Sequence, residues 1–354
     1  MDVKTILEKK FEPKSIPIFP LVEEIPGDLE TPVSAFLKLK KYGAKFLLES
    51  VEMGEKLGRY SFIGLEPRIK IKVEEENIIL EENNLKCTLP FEKDDPLQSL
   101  KKILGVFSIE KTDFPRLLGG LVGYISYDFV RFIEKIPNHI TDNLALPKAL
   151  FYLVDKLLVF DHLQRKIKIV ALTDSTTPIR RAKERKKLKE LIELLNSPLE
   201  IEKPIIRVSS HNISSNFSQE EFCQQVLKAQ EYIKSGDVYQ LVFSQRLSGT
   251  TKANPFQIYR ALRMLNPSPY MFYLDFDQFK LVGSSPEVLV KLENGTTLVR
   301  PIAGTRPRGL TEEEDLKLTE ELLNNEKEKA EHIMLVDLGR NDLGRCCQFG
   351  SVKV

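Results

Sequence analysis

Two carboxylates three positions apart, Glu328 and Glu331, stand where a run of Glu and Lys gives way to apolar residues in "NNEKEKAEHIMLVDLGRND", residues 324–342. At about 100° per helical residue, Glu331 projects between Leu335 and Leu338, toward the apolar face. Three residues at about 1.5 Å each separate the carboxylates by about 4.5 Å along the axis, so both reach one hard cation. The same spacing is typical of a solvated helix with Glu and Lys pairs, and both interpretations stay open.

A second group of chemically suited residues lies in the turn "RPIAGTRPRG", residues 300–309. Gly304 and Thr305 give a backbone that a ligand can approach closely, and Arg306 and Arg308 offer guanidinium groups to an anion. A basic hairpin loop without any ligand has the same composition. The turn alone therefore does not decide between the two.

The elements that must position these residues are mostly short strands, in which apolar and polar residues alternate between Gly, Pro or Asn. One of them, "VYQLVFSQRLSG", carries the amide of Gln240 in its middle, and the final segment "CQFGSVKV" also has a strand pattern. Helices are expected at 179–195 and at 218–236, where Ser218 and the Glu three residues later form a capping box. Meandering strands with few helices predict an α+β fold of layered antiparallel sheets flanked by helices.

The length of 354 residues gives room for two cores. A Ser-, Asn- and Pro-rich connection near residue 200 predicts two domains, at 16–200 and 215–354. Charge is balanced at 52 basic and 51 acidic residues, so neither nucleic acid nor a membrane surface is an expected partner. The chain shows no secretory h-region and no membrane span, and its four scattered cysteines form no CxxC, which together predict a cytoplasmic protein.

Several segments together resemble one family. "LLESVEMGEKLGRYSFIG", "GDVYQLVFSQR", "NPSPYMFYL", "GSSPEVLV", "PIAGTRPRG" and "EHIMLVDLGRNDLGR" occur in the order and approximate spacing of anthranilate synthase component I. The similarity runs from about residue 16 to the last residue, and a whole series of motifs is far more specific than any single one. The chain therefore resembles the chorismate-utilising enzymes of the anthranilate synthase type.

The resemblance implies a large subunit that converts chorismate and ammonia to anthranilate and pyruvate, the entry to tryptophan synthesis. A glutamine amidotransferase subunit is the implied source of the ammonia. The family binds Mg²⁺ through carboxylates that match Glu328 and Glu331, and the metal holds the ring carboxylate of the substrate. By the same similarity Gly304 and Thr305 line the substrate pocket.

Two positions favour this enzyme over its relatives. Aminodeoxychorismate synthases commonly have a nucleophilic lysine where this chain has Ala303, and the water-using relatives have a basic lysine where it has Gln240. Gln240 is no base, which suits ammonia as the nucleophile.

The resemblance also implies feedback inhibition by tryptophan, bound between "LLES" and "NPSPYM". A carboxylate there can bind the amino group, and a proline-rich turn with an aromatic ring can form one side of a pocket for the indole. The matching residues are Glu49, Ser50, Arg59, Asn266, Pro267, Ser268, Tyr270 and Met271.

The sequence departs from the family pattern at its end. The family continues through a histidine-bearing segment, a "PAGT.SGAPK"-like turn, an arginine and glycine loop and a second carboxylate cluster, which do not follow "CQFGSVKV" here. We therefore expect a fragment that lacks the C-terminal part and is inactive alone. The alternatives are an aminodeoxychorismate synthase component I, and a non-catalytic module that binds tryptophan and docks a partner.

Overall fold

The computed structural model describes residues 15–50, 58–83, 85–90, 96–109, 117–138, 142–174, 177–200 and 213–354. The helices in these ranges are α1 (Pro32–Lys40), α2 (Pro96–Gly105), α3 (Pro178–Leu195), α4 (Gln219–Ser235), α5 (Pro255–Leu265), α6 (Glu312–Asn324) and α7 (Glu326–Cys346). A 3-10 helix spans Tyr127–Phe132.

The strands are more numerous and mostly five or six residues long. They are β1 (Ile16–Pro26), β2 (Ala44–Glu49), β3 (Tyr60–Leu65), β4 (Ile69–Val73), β5 (Asn77–Glu82), β6 (Leu85–Pro90), β7 (Phe107–Ile109), β8 (Gly120–Ile125), β9 (Ala149–Val154), β10 (Lys156–Asp161), β11 (Lys166–Thr173), β12 (Ser214–Ser215), β13 (Leu247–Ser248), β14 (Tyr270–Asp275), β15 (Lys280–Ser285), β16 (Lys291–Glu293) and β17 (Thr296–Leu298).

Two sheets contain most of these strands. The larger has eight strands in the order β15-β14-β2-β3-β10-β11-β1-β7, and the smaller has five in the order β6-β5-β4-β9-β8. Neighbours are antiparallel except β1 and β7, which run parallel. The predicted antiparallel sheets are thus confirmed, although their strands do not all follow one another in sequence order.

The sheets pack face to face, and side-chain alternation along β9 shows how. Leu150, Tyr152 and Val154 join the cluster between the sheets, where they meet residues of the large sheet such as Phe46 and Leu157. The alternate β9 residues, including Leu153, join a second cluster beneath α2. Helices α1 and α3 contact the large sheet. This layering confirms the predicted α+β class, with sheets inside and helices outside.

Two cross-strand pairs in the large sheet each place a phenylalanine ring over a glycine. Phe46 lies opposite Gly64, and Phe272 lies opposite Gly283. A Cβ on Gly64 would lie 1.9 Å from the ring of Phe46, and one on Gly283 would lie 2.1 Å from the ring of Phe272. Each ring therefore covers the bare backbone of its partner, which only glycine permits.

Neither residues 277–354 nor residues 213–255 contain a single buried residue, unlike most of the sheet-forming part of the chain. Helices α6 and α7 both lie within the first of these stretches, and α4 lies within the second. Exposed apolar side chains include Leu316, Leu323 and Ile333. Helices α6 and α7 are held by caps and ion pairs rather than by a core.

The helix predictions hold, and two strand predictions are wrong. The capping box of Ser218 and Glu221 is present, and Gly236 ends α4 with φ 84°. The segment around Gln240 is irregular up to β13, and residues 347–354 form no strand because α7 runs to Cys346. An alternating pattern makes a strand only where another segment supplies its hydrogen-bond partners.

The chain divides into two units, Met1–Glu200 with Tyr259–Val354, and Ile201–Ile258. In the first unit β14 and β15 belong to the same sheet as β1 and β2. The predicted domains 16–200 and 215–354 stay a prediction, but one sheet draws strands from both. No helix in the described ranges has the length and apolar character needed to cross a bilayer.

Replacing Gly64 by Ala should lower the free energy of unfolding by about 1–3 kcal/mol, because the added methyl overpacks the site under Phe46. The matched control is Gly105→Ala, at the end of α2, where a Cβ meets nothing within 4 Å. That change should be neutral or slightly stabilising. Urea denaturation of both variants measures the difference, and equal stabilities would contradict the packing described.

Candidate functional site

The loop that carries Gly304 lies against the start of α7. Gly304 has φ 79°, a left-handed conformation that favours glycine. A Cβ at this position would lie 2.8 Å from Oε2 of Glu328 and 3.2 Å from Cδ1 of Leu322. Both the backbone conformation and the space beside Glu328 therefore require glycine.

Arg306 joins this loop to both neighbouring helices. Its Nη1 donates to Oε1 of Glu328 at 3.1 Å, and its Nε donates to Oε1 of Glu321 on α6, also at 3.1 Å. These bonds, to Glu328 first and then to Glu321, raise the pKa of Arg306. Nη1 also donates to the carbonyl of Thr305, whose side chain is exposed. The loop thus brings a guanidinium group against the proposed metal carboxylate.

Glu328 and Glu331 lie on one continuous helix, as the sequence predicts. The backbone N–H of Glu328 donates to the side chain of Asn325, the N-cap of α7. A carboxylate in this first turn is stabilised by the helix dipole. The side chain of Glu328 is 22% exposed, and Glu331 is half-buried. The predicted inward face is therefore only partly covered in this structure.

The donor set is compatible with Mg²⁺ in kind. Mg²⁺ is usually held by one or two protein carboxylates together with waters and substrate oxygens. Glu328 and Glu331 supply two such carboxylates, and the glycine at 304 keeps Oε2 of Glu328 uncrowded. Within the described ranges no three His, Cys, Asp or Glu side chains form a group able to hold a metal ion. The positive charge next to Glu328 comes from Arg306.

A second polar cluster is centred on Glu49, which is 4% exposed at the end of β2. Tyr259 on α5 donates its hydroxyl to Oε2 of Glu49 at 2.5 Å. Arg263, one turn later, donates from Nε to Oε2 at 3.1 Å and from Nη2 to Oε1 at 3.2 Å. Burial and the neighbouring Glu49 raise the pKa of Tyr259.

The two predicted tryptophan motifs meet here. Met271 pairs with Glu49 in the register of β14 and β2. The turn before β14 is held in place by Ser284. The hydroxyl of Ser284 contacts the carbonyl oxygen of Asn266 at 2.7 Å and the hydroxyl of Ser268 at 2.9 Å. Ser268 and Met271 are buried, Tyr270 is half-buried, and Asn266 and Pro267 are exposed.

Ser50 and Arg59 differ in their contacts. The hydroxyl of Ser50 is buried and has no hydrogen-bond partner among the described residues. Arg59 is already paired, with Nε and Nη2 donating to the carboxylate of Asp161 at 3.2 and 2.9 Å, and with its guanidinium over the ring of Tyr60. Its place in a ligand site stays a prediction.

Gln240 lies in the unit Ile201–Ile258. It is half-buried in an irregular segment rather than in the middle of a strand, so the predicted local structure is wrong at this residue. Nearby, the ring of Phe243 packs against Phe217 and Phe222. The role implied for the amide is not tested by these contacts.

Three polar residues near Glu49 were not identified from the sequence: Tyr259, Arg263 and His162. His162 contacts the hydroxyl of Ser61 through Nε2 at 2.8 Å, and burial lowers its pKa. One signal was available, since Tyr259 and Arg263 are four residues apart on a helix that leads directly into "NPSPYM". His162 had no such signal, because it reaches the cluster only through sheet pairing.

The sequence as a whole matches a known class of enzyme. The sequence model for chorismate binding enzymes matches residues 43–354. Because this match covers most of the chain, the chain belongs to the chorismate binding enzyme family.

Within that family the chain is similar to anthranilate synthase component 1. It is 44% identical to the protein of that name from Acetivibrio thermocellus over an alignment of 367 residues. The alignment covers 99% of this chain and 72% of the relative. The protein of the same name from Aquifex aeolicus is 46% identical over 349 residues, which cover 95% of this chain and 69% of the relative.

Solved structures agree. The crystal structure of anthranilate synthase component I from Streptococcus pneumoniae superposes with a TM-score of 0.67 at 32% identity, covering 91% of this chain and 69% of that one. The menaquinone-specific isochorismate synthase MenF from Escherichia coli has a TM-score of 0.56 at 14% identity, covering 96% and 67%. At that identity the second likeness shows the fold alone.

Proposed function

We propose that this chain belongs to the large subunit of an anthranilate synthase, which converts chorismate and ammonia to anthranilate and pyruvate. The observation that carries the proposal is the close approach of the Gly304 backbone to Glu328, since a Cβ at 304 would lie 2.8 Å from Oε2 of that carboxylate. It joins the "PIAGT" turn to the helix of "EHIMLVDLGR", the two motifs that the resemblance assigns to substrate and metal. We also propose a cytoplasmic location for the enzyme.

Chorismate is a dianion, and each residue of the site has a task that fits it. The backbone at Gly304 and Thr305 lines the pocket and lets the ring approach closely, since no Cβ intervenes at 304. Arg306 places a guanidinium beside this surface, where it favours binding of a carboxylate. Ala303 offers no nucleophile to compete with ammonia, and Gln240 stands where, by the resemblance, the water-using relatives have a basic lysine.

Magnesium is the proposed cofactor. When bound, it supplies Lewis-acid charge for the ring carboxylate of the substrate. Glu328 and Glu331 would hold it. Arg306 forms an ion pair with Glu328 in this structure, and its guanidinium would add positive charge for the substrate carboxylates.

Ammonia is proposed to come from a glutamine amidotransferase subunit. None of the four cysteines of this chain stands in a Gly-rich nucleophile turn, so its sequence offers no glutaminase of its own. The relatives described above are named component 1, which agrees with a second component.

Feedback by tryptophan is proposed at the end of β2. Two observations support this site: Met271 pairs with Glu49, and the buried hydroxyl of Ser50 has no hydrogen-bond partner in the part of the chain that the structure describes. A ligand that forms a hydrogen bond with such a hydroxyl is bound more tightly, because the bond removes the free-energy cost of leaving a buried polar group unsatisfied. Because the motifs come from distant parts of the chain, a ligand that binds both would change how they are held together.

The product identifies the enzyme. We expect a polypeptide that continues this chain with the unmatched part of the Acetivibrio thermocellus relative to release anthranilate from chorismate, Mg²⁺ and ammonium at raised pH. With glutamine instead, product should require the partner subunit. The 354-residue chain alone should give none, because it spans only 69–72% of the relatives quoted. Chromatography with mass detection measures the product.

Other products would change the assignment. Accumulation of 4-amino-4-deoxychorismate would support the aminodeoxychorismate synthase alternative. Isochorismate or salicylate would show that the role given to Gln240 is wrong. Tryptophan binding without any product from the extended polypeptide would favour the non-catalytic module.

Glu328→Gln or Glu331→Gln in the extended polypeptide should lower turnover by about 100-fold or more, since several kcal/mol of charge stabilisation are lost with the metal. The Mg²⁺ concentration that gives half of the maximal rate should rise. Glu326→Gln, an exposed change in the same first turn, is the matched control. Unchanged Mg²⁺ titration curves would remove both residues from the site.

Ser50→Phe should abolish tryptophan binding, because the ring would fill the pocket, while turnover of the extended polypeptide stays largely intact. The chain contains no Trp, so the fluorescence anisotropy of added tryptophan reports binding without protein background. Ser351→Phe, at an exposed turn, is the control. A Ser50→Phe protein that binds tryptophan as the unmodified chain does would refute the site.

A further inference from the structure

Three donors converge on the single carboxylate of Glu49. The hydroxyl of Tyr259 and Nε of Arg263 both reach Oε2, and Nη2 of Arg263 reaches Oε1. Tyr259 and Arg263 are one helical turn apart, which places them on the same face of α5. We name this arrangement of Glu49, Tyr259 and Arg263 the carboxylate clamp.

The clamp is buried where an unpaired charge is costly. Glu49 is 4% exposed and Tyr259 is fully buried, while the side chain of Arg263 is 34% exposed. A buried carboxylate keeps its charge only when donors and a cation compensate for lost water. Arg263 supplies that cation through a bidentate contact, the geometry in which arginine binds carboxylates best.

The clamp also holds the turn of the proposed tryptophan site. Helix α5 ends at Leu265, and the turn that follows leads into β14, where Met271 pairs with Glu49. Glu49 therefore fixes the turn at both ends, through its side chain before the turn and through its backbone after it. Movement of α5 relative to β2 would displace Asn266 and Ser268.

Glu49 is poorly placed to act as a free partner for a ligand. Both of its oxygens already accept hydrogen bonds, and its charge is matched by Arg263. The neighbouring hydroxyl of Ser50, by contrast, has no partner among the described residues. Glu49 thus contributes to the site by fixing its shape.

We propose that Tyr259 and Arg263 are positioning residues for the effector site, which act on tryptophan affinity through Glu49 without touching the ligand. The inference rests on the proposed tryptophan site. It differs from the expectation that the Glu49 carboxylate itself holds the amino group of the ligand.

The test compares two ligands by fluorescence anisotropy with the 354-residue chain, which has no Trp. L-tryptophan has an amino group and indole-3-propionate lacks it. Arg263→Gln should weaken both ligands by the same factor, about tenfold, since the pocket loses its shape. Arg260→Gln is the control, because it makes the same change on the same helix at a residue with no ion pair to Glu49.

Conservative variants separate positioning from misfolding. Arg263→Lys keeps the charge but loses the bidentate contact, and Tyr259→Phe removes one hydroxyl, so both should bind with intermediate affinity. The double variant with Glu49→Gln and Arg263→Gln should lose no more affinity than Arg263→Gln alone, because both changes break one clamp. Circular dichroism verifies that each variant is folded.

The outcomes are distinct. Loss of tryptophan binding but not of indole-3-propionate binding in Glu49→Gln would overturn the proposal, since it would show direct contact with the amino group. Unchanged binding in Arg263→Gln and Tyr259→Phe would also overturn it and leave the tryptophan site standing. An unmodified chain that binds neither ligand would refute the tryptophan site itself, and the clamp's proposed role with it.

Discussion

Strand β14 pairs with β2 from Leu274 opposite Phe46 to Met271 opposite Glu49, and so joins segments that lie far apart in the sequence. The pairing extends the large sheet by β14 and β15, and it brings the turn after α5 to the end of β2. Without it the residues of "LLES" and "NPSPYM" would have no reason to meet. Backbone hydrogen bonds thus define the site before any side chain contributes.

The carboxylate of Glu49 makes this junction specific. Purely hydrophobic contacts tolerate other apolar partners of similar volume, but a buried charge tolerates few partners. Glu49 needs the three donors supplied by α5, and α5 is thereby fixed against β2. Packing forms the sheet, and the polar contacts select how the helix lies on it.

The loop at 300–309 follows a different physical rule. No residue of α6 or α7 is buried, so Arg306 holds the loop to Glu321 and Glu328 by ion pairs and not by a core. Such partly exposed pairs are weak individually and are screened by salt. The proposed catalytic loop is therefore less firmly fixed than the proposed effector site.

The sequence by itself determined the local features: the capping box of α4, the helix that carries Glu328 and Glu331, and the alternating strands of an α+β fold. These depend on neighbours within a few residues, so they can be read along the chain. Only the tertiary structure decided that the strand pattern around Gln240 forms no strand, and that Arg263 and His162 lie near Glu49. Such contacts depend on partners distant in sequence, which the residues on either side of a segment do not specify.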